Sequence, residues 1–288
     1  MDLLRPSYAS GYAKNASQSA HPNLWDGLVG AWMPSLGVTG ETLRDVSGNG
    51  NHGTLTGMDA ASDWVATSKG LALDFDGSND YVNLGFQVQD KWIVSQQASI
   101  AMWVKPSSNP VNSGLLSNYD GDTVNNLRNG IALRRVSDKI RFVLFDSGAQ
   151  NYIVRDTDSG ACPINQWSHV CAMWDGSTSA TGVKVYINGQ RADTTSLTSG
   201  TVNSLKYSNE PMTIARLRSE SVQWLFQGRI AHASIYNRVL SPQEIKQLYV
   251  DSLAPFRKKQ RVSVAVPAGI TFKPYWAKQS TQISGLLK

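Results

Sequence analysis

From Trp25 to about Ala233, short apolar runs alternate with clusters of Gly, Asn, Asp and Ser. This is the rhythm of an all-β sandwich or barrel. Several runs have a period of two, so alternate residues share a face. In Ile100–Val104 that face holds Ile100, Met102 and Val104. In Lys139–Phe145, Ile140, Phe142 and Leu144 point one way and Arg141 and Val143 the other. Val183, Val185 and Ile187 alternate with Lys184 and Tyr186, and the run closes on Asn188-Gly189. That dipeptide predicts a type I′ hairpin, because both central residues of such a turn need positive φ. Leu28–Trp32 is predicted as a buried strand. One helix interrupts the pattern. Ser241 precedes Pro242 and stands three residues before Glu244, a capping-box signature. Ile245, Leu248 and Tyr249 then share a face, and the helix is predicted to end near Asp251.

The flanks read differently. Residues 1–23 are rich in Ser, Ala, Asn, Gly and Tyr without a period, and are expected to form an N-terminal arm. Residues 24–251 are expected to form the sandwich and 252–288 a second, basic arm. That second arm carries seven basic residues and no acidic one. Removing those seven from the total of +5 leaves −2 for the rest, so the positive charge belongs to the arm. A basic arm suits an acidic protein surface as well as nucleic acid. The Arg257-Lys258-Lys259-Gln260-Arg261 cluster is short, so no nucleic-acid partner is expected. No run reaches the roughly 18 apolar residues of a membrane helix, and residues 1–20 lack the apolar core of a signal peptide. Synthesis in a cytoplasm without membrane insertion is the expectation. Two cysteines, Cys162 and Cys171, are read as small, reduced, partly buried thiols, with a disulfide as the alternative.

Six segments, in order, resemble the laminin G-like, concanavalin A-type lectin/glucanase superfamily. They are Leu28–Trp32, Asp45–Gly53, Leu73–Val82, Trp167–Val170, Val185–Gly189 and Gly228–Ser241. The resemblance implies a jelly roll of two antiparallel sheets, with the helix after Ser241 near the C-terminal end of the domain. More narrowly, Ala254–Arg257 and Tyr275–Ser280 resemble tails on laminin G-like proteins of bacteriophages. This implies a virion structural protein: a decoration, fibre or adhesin subunit with its arms docked on neighbouring subunits or on a second copy. Tyr8, Tyr12, Arg257, Tyr275 and Trp276 are the expected docking anchors. The alternative is a free carbohydrate-binding lectin, with or without dependence on calcium.

Catalysis is not expected. Some members of the superfamily are glucanases that use closely spaced carboxylates, and glycoside hydrolysis needs two carboxyls flanking the scissile bond. The chain has four glutamates (Glu41, Glu210, Glu220, Glu244), none of them between Thr42 and Asn209. Asp120 with Asp122 and Asp156 with Asp158 sit at strand spacing, but among Gly and Ser, where solvated loop carboxylates are expected. His21, His52, His169 and His232 form no metal or nucleophile motif, and His169 reads as packing.

Two sites remain as candidates. Asp45, Asn49 and Asn51 offer oxygens at alternate positions on a Gly-bent loop, a spacing that can wrap Ca²⁺. The same residues make a turn in which side chains bond their own backbone. Relatives often carry an acidic pair where this chain has Ala231 and His232, which counts against the metal. For a cell-surface glycan, Trp64, Trp92, Tyr119 and Trp224 are candidate platforms. Tyr119 alone is expected to be exposed, beside Asp120 and Asp122 on a polar loop.

Overall fold

The computed structural model describes residues 11–86, 97–122, 127–145, 151–199, 208, 210–218 and 223–259; the side chains of 120–129 and 196–199 are not described. Two antiparallel sheets carry the fold. The first runs β16 (Gln190–Arg191), β15 (Val183–Ile187), β14 (Ser168–Trp174), β7 (Ala98–Pro106), β21 (Gln227–Tyr236), β5 (Gly70–Asp76), β4 (Trp64–Thr67), with β1 (Leu28–Trp32) also paired to β21. The second runs β17 (Asp193–Ser199), β13 (Tyr152–Thr157), β12 (Lys139–Phe145), β11 (Ile131–Val136), β8 (Ser113–Ser117), β18 (Thr213–Ile214), β6 (Tyr81–Asn83), β3 (Gly53–Thr56), β2 (Thr42–Leu43). Two short hairpins, β9 (Asp120–Asp122) with β10 (Leu127–Asn129) and β19 (Arg216–Arg218) with β20 (Gln223–Leu225), complete the described strands. None of the described helices is long and apolar enough to cross a membrane.

The period-two residues face each other across the two sheets. Ile100, Met102 and Val104 of β7 and Val183 and Val185 of β15 meet Ile140, Phe142 and Leu144 of β12 in one core. Removing such side chains from water supplies most of the driving force, at roughly 1.5–3 kcal/mol for each large one. Asn188 and Gly189 have φ of 52° and 78°, as a type I′ turn requires. Cys162 and Cys171 are both buried, free thiols. Burial pushes them up to about 11 and about 12, so both stay protonated and unreactive near neutrality.

The predicted helix is α1 (Pro242–Val250). Ser241 accepts from the Glu244 N–H, and the Glu244 carboxylate accepts from the Ser241 N–H, so the capping box is complete. Ile245 and Leu248 bury against the outer face of the first sheet, on Ala101, Cys171, Tyr186 and Tyr236.

The sequence places residues 1–23 and 252–288 in arms, and the described parts of both lie on the sandwich. Ala13, Leu24, Ala254 and Phe256 are buried in the layer beneath α1. The Ala13 N–H donates to the Phe256 carbonyl (2.8 Å) and the Ala20 N–H to the Arg257 carbonyl (2.7 Å). Trp25 meets Phe256 edge-on, with ring centroids 5.4 Å apart, and its indole N–H donates to the Pro255 carbonyl. A few apolar anchors set in polar sequence are enough to pin both chain segments, and their spacing gave no periodic signal.

Candidate functional site

The Asp45 loop is a hydrogen-bonded turn. Asp45 is buried, and its carboxylate accepts from the N–H groups of Ala31, Ser47 and Asn51 and from the Ser47 hydroxyl, each at 2.9 Å. The Asn49 amide donates to the Leu28 and Val29 carbonyls, and the Asn51 amide donates to Val29. These bonds satisfy the side of β1 that does not pair with β21, so the loop closes an otherwise open strand edge. A calcium site needs six to eight oxygens converging on one point. Here the carboxylate is spent on four donors and both amide nitrogens face carbonyls, so this arrangement does not fit a calcium cage. Asp76 and Asp80 also form turn chemistry: Asp76 accepts from the Ser78 and Asn79 N–H groups, and Asp80 from that of Asp76. The described residues hold no cluster of three His, Cys, Asp or Glu suited to a metal ion.

The aromatic candidate lies elsewhere than expected. Tyr119 is not an exposed loop residue; it is 9% exposed, with its ring 4.9 Å from that of Phe145. Ala132 of β11, Val143 and Phe145 of β12 and Val154 of β13 point away from the central core and form a second apolar cluster on the outer face of the second sheet. The β19–β20 hairpin folds over that face, bringing Leu217 and Trp224 against it. Together Tyr119, Phe145, Leu217 and Trp224, with Ala132, Val143 and Arg134, line a pocket of about 230 Å³. This is smaller than the roughly 300–1,000 Å³ of drug-sized sites. The Arg134 guanidinium, held by the Asn112 side-chain oxygen at 3.2 Å, supplies the one charge among the described lining residues.

Asp120 and Asp122 lie next to this pocket in the chain, on β9, where they pair with Asn129 and Leu127; their side chains lie outside the described residues. Trp64 packs against the central core instead and donates its indole N–H to the Gly40 carbonyl. Trp92, Tyr8, Tyr275 and Trp276 lie outside the described residues. Tyr12 packs into the layer beneath α1, and exposed Arg257 grips Asp251 at 2.8 and 3.2 Å. Both named anchors that are described therefore engage their own sandwich. Asp156 is bound bidentately by Arg141 at 2.7 and 2.6 Å.

Sequence reasoning missed Val143, Phe145, Leu217 and Arg134. One signal was available: in Lys139–Phe145 both alternating faces turn apolar after Arg141, which marks a sheet face that something covers. Gly114 of β8 is what lets the cover sit close. A Cβ there would collide with the backbone of Arg216 and Leu217. Gly114→Ala is therefore expected to push the hairpin off the sheet at a cost of about 1–3 kcal/mol. Thermal unfolding should record the loss, and exchange of the β19–β20 amides should rise while that of β7 and β14 does not.

Comparison with known proteins agrees with this architecture. A laminin G family model described as the concanavalin A-like lectin/glucanases superfamily matches residues 76–246. Among curated proteins no match was found. Similar folds among solved structures include a mutant Trypanosoma rangeli sialidase with trans-sialidase activity. It is 16% identical, with a TM-score of 0.55 over 78% of this chain and 33% of the sialidase. Domain 4 of AbnA, an extracellular arabinanase from Geobacillus stearothermophilus in complex with arabinotriose, is 21% identical. Its TM-score is 0.54 over 77% of this chain and 98% of that domain. The binding domain of botulinum neurotoxin DC in complex with SialylT is 16% identical, with a TM-score of 0.55 over 80% of this chain and 52% of that domain. The chain thus spans about a third of the sialidase and half of the toxin domain.

Proposed function

The chain belongs to the concanavalin A-like lectin/glucanase superfamily, and from that premise we propose that it is a non-enzymatic glycan-binding module whose pocket lies on the outer face of the second sheet. The observation that carries this reading is the Tyr119–Phe145–Trp224 pocket with Arg134 in its wall. A sugar ring has an apolar face of C–H groups and a polar rim of hydroxyls. Aromatic faces stack on the first, and a guanidinium donates to the second. The arabinotriose on the arabinanase domain and the SialylT on the toxin domain support a glycan as the ligand class. Binding is favoured over hydrolysis because no described lining residue is a carboxylate, and Asp156 is spent on Arg141.

The setting assigned to the module is a virion, supported by the resemblance of Ala254–Arg257 and Tyr275–Ser280 to phage protein tails. Other virion subunits or a second copy would then meet the chain ends. The free lectin is the second reading, favoured by Tyr12 and Arg257 both being engaged within their own chain. Co-sedimentation with particles separates the two.

The test of binding is a glycan panel probed with the full chain and with Trp224→Ala, each with Ca²⁺ and with chelator. Wild type is expected to bind. Trp224→Ala should weaken binding by about tenfold or more, as truncation of an aromatic anchor does. Chelation should change neither, since the Asp45 oxygens are already satisfied. No binding to any glycan, or equal binding by the variant, would overturn the reading. Release of shortened products would replace it with a hydrolase.

A further inference from the structure

Two histidines are buried near the C-terminal end of α1, and among the described residues the one carboxylate beside them is already engaged elsewhere. His169 of β14 and Trp103 of β7 stand opposite each other on the outer face of the first sheet. Their rings are 5.4 Å apart, and Tyr249 of α1 covers both, at 6.0 Å from His169 and 5.7 Å from Trp103. Lys69, from the turn between β4 and β5, lays its ammonium 3.5 Å from the centre of the Trp103 ring. His232 sits close by in a bulge of β21, at φ 51°, with its Nε2 2.6 Å from the Ser35 hydroxyl. Ser35 in turn donates to the Lys69 carbonyl. The Nδ1 atoms of both histidines are buried without a hydrogen-bond partner.

The charged and titratable groups around the pair are therefore Lys69, Tyr249, Asp251 and the two imidazoles themselves. Asp251 is the one carboxylate among them, and it already holds Arg257 and the Leu253 N–H. A proton added to either Nδ1 would make a cation with no acceptor, beside a fixed ammonium. Burial, then Lys69 and the neighbouring His232, hold His169 down at about 3. Burial, against Asp251 and with Lys69, holds His232 at about 4.

Tyr249, which covers His169, and Asp251, which stands near His232, begin the segment that ties down the described flanks. After Tyr249 come Ser252, whose hydroxyl receives the Trp103 indole N–H at 2.7 Å, and Phe256, which holds Trp25 and Ala13. Lifting the segment that carries Tyr249 and Asp251 uncovers His169, opens the side of His232 next to Asp251, and loosens this strap. We propose that His169 and His232 make the strap of residues 249–258 acid-sensitive: it is seated on the first sheet at neutral pH and released in mild acid, together with residues 12–25 that it pins. The proton, rather than a ligand, is the effector, and the sandwich itself stays folded.

Both folded values lie below the ordinary histidine range, so the open state binds more protons. Strap seating is then unaffected above about pH 6.5 and weakens as pH falls towards about 4. With two protons taken up per opening, the opening equilibrium should rise by about a hundredfold per pH unit across that window.

The experiment is hydrogen exchange of the full chain between about pH 7 and about pH 4.5, corrected for intrinsic rates. Peptides covering 249–258 and 12–25 should lose protection together with that slope, while peptides of β11 and β12 keep theirs. His169→Phe, or His232→Asn (which suits the positive φ), should each reduce the slope to about tenfold per pH unit. Unchanged strap protection in wild type, an unchanged slope in both single variants, or loss of β11–β12 protection in step with the strap would overturn the proposal.

Discussion

Asp45→Ala is expected to lower stability by about 4 kcal/mol, and the melting temperature by about 10 °C for a domain of this size. The substitution strands the N–H groups of Ala31, Ser47 and Asn51, each of which gives its hydrogen to the lost carboxylate. An unpaired buried N–H costs about 1–3 kcal/mol, and three that share one acceptor do not add in full. The damage spreads along β1, because the Asn49 and Asn51 amides that cap the Leu28 and Val29 carbonyls lose the turn that aims them. Asp45→Asn should fall between wild type and alanine. It keeps the shape but replaces one acceptor oxygen with a donor facing donors. Thermal unfolding of the three proteins, with calcium and with chelator, checks the argument. Chelation is expected to leave the wild-type melting temperature where it is. A wild-type loss on chelation that the alanine variant no longer shows would make Asp45 a metal ligand and sink the turn account.

That loop shows why some of the structure was legible in the sequence and some was not. Oxygens at alternate positions on a Gly-bent loop suit an ion and a turn equally well. What decides between them is the unpaired edge of β1, which lies 14 to 22 residues away. The faces of β7, β12 and β15, the Asn188-Gly189 turn and the Ser241 cap were readable because each is written within a few consecutive residues. Tyr119 was misjudged because a polar local run says nothing of Phe145 and Trp224, which bury its ring from distant strands. His169 was read correctly as packing. That reading gave no hint of Lys69 over the neighbouring indole, since a turn between two other strands supplies it. The short apolar anchors Ala13, Leu24 and Phe256 were invisible for the same reason: each finds its partners across the first sheet, not along the chain.

The second large effect concerns the other end of α1. Glu244→Gln is expected to destabilise the protein by about 2–3 kcal/mol near neutral pH, or about 5–10 °C in melting temperature. Glu244 is more than a cap. Its carboxylate takes a bidentate grip from Arg238 at 2.9 and 2.7 Å, the Ser241 N–H at 2.9 Å and the Asn23 amide at 3.1 Å. Arg238 also donates to the Asn23 and Asp26 carbonyls, so one ion pair joins α1 to the N-terminal segment. Burial alone would raise the Glu244 value. The Arg238 bonds, the Ser241 N–H and the Asn23 amide outweigh it and bring the carboxyl down to about 2. A depressed carboxylate contributes stability that is complete above its unfolded value of about 4.5 and disappears as pH falls towards about 2. The gap between wild type and Glu244→Gln should therefore be constant from neutrality to about pH 5, narrow below it, and nearly close by about pH 2. This window lies below the one in which the histidines act, so an acid titration should pass through two stages. The strap loosens first, while the Arg238–Glu244 pair still holds α1 by its N-terminus, and the helix itself gives way only after that carboxylate is protonated. Melting curves of wild type and variant across the acid range are the check. A gap that stayed the same size down to about pH 2 would mean that the ionised carboxylate contributes nothing, and that glutamine fails there for reasons of packing.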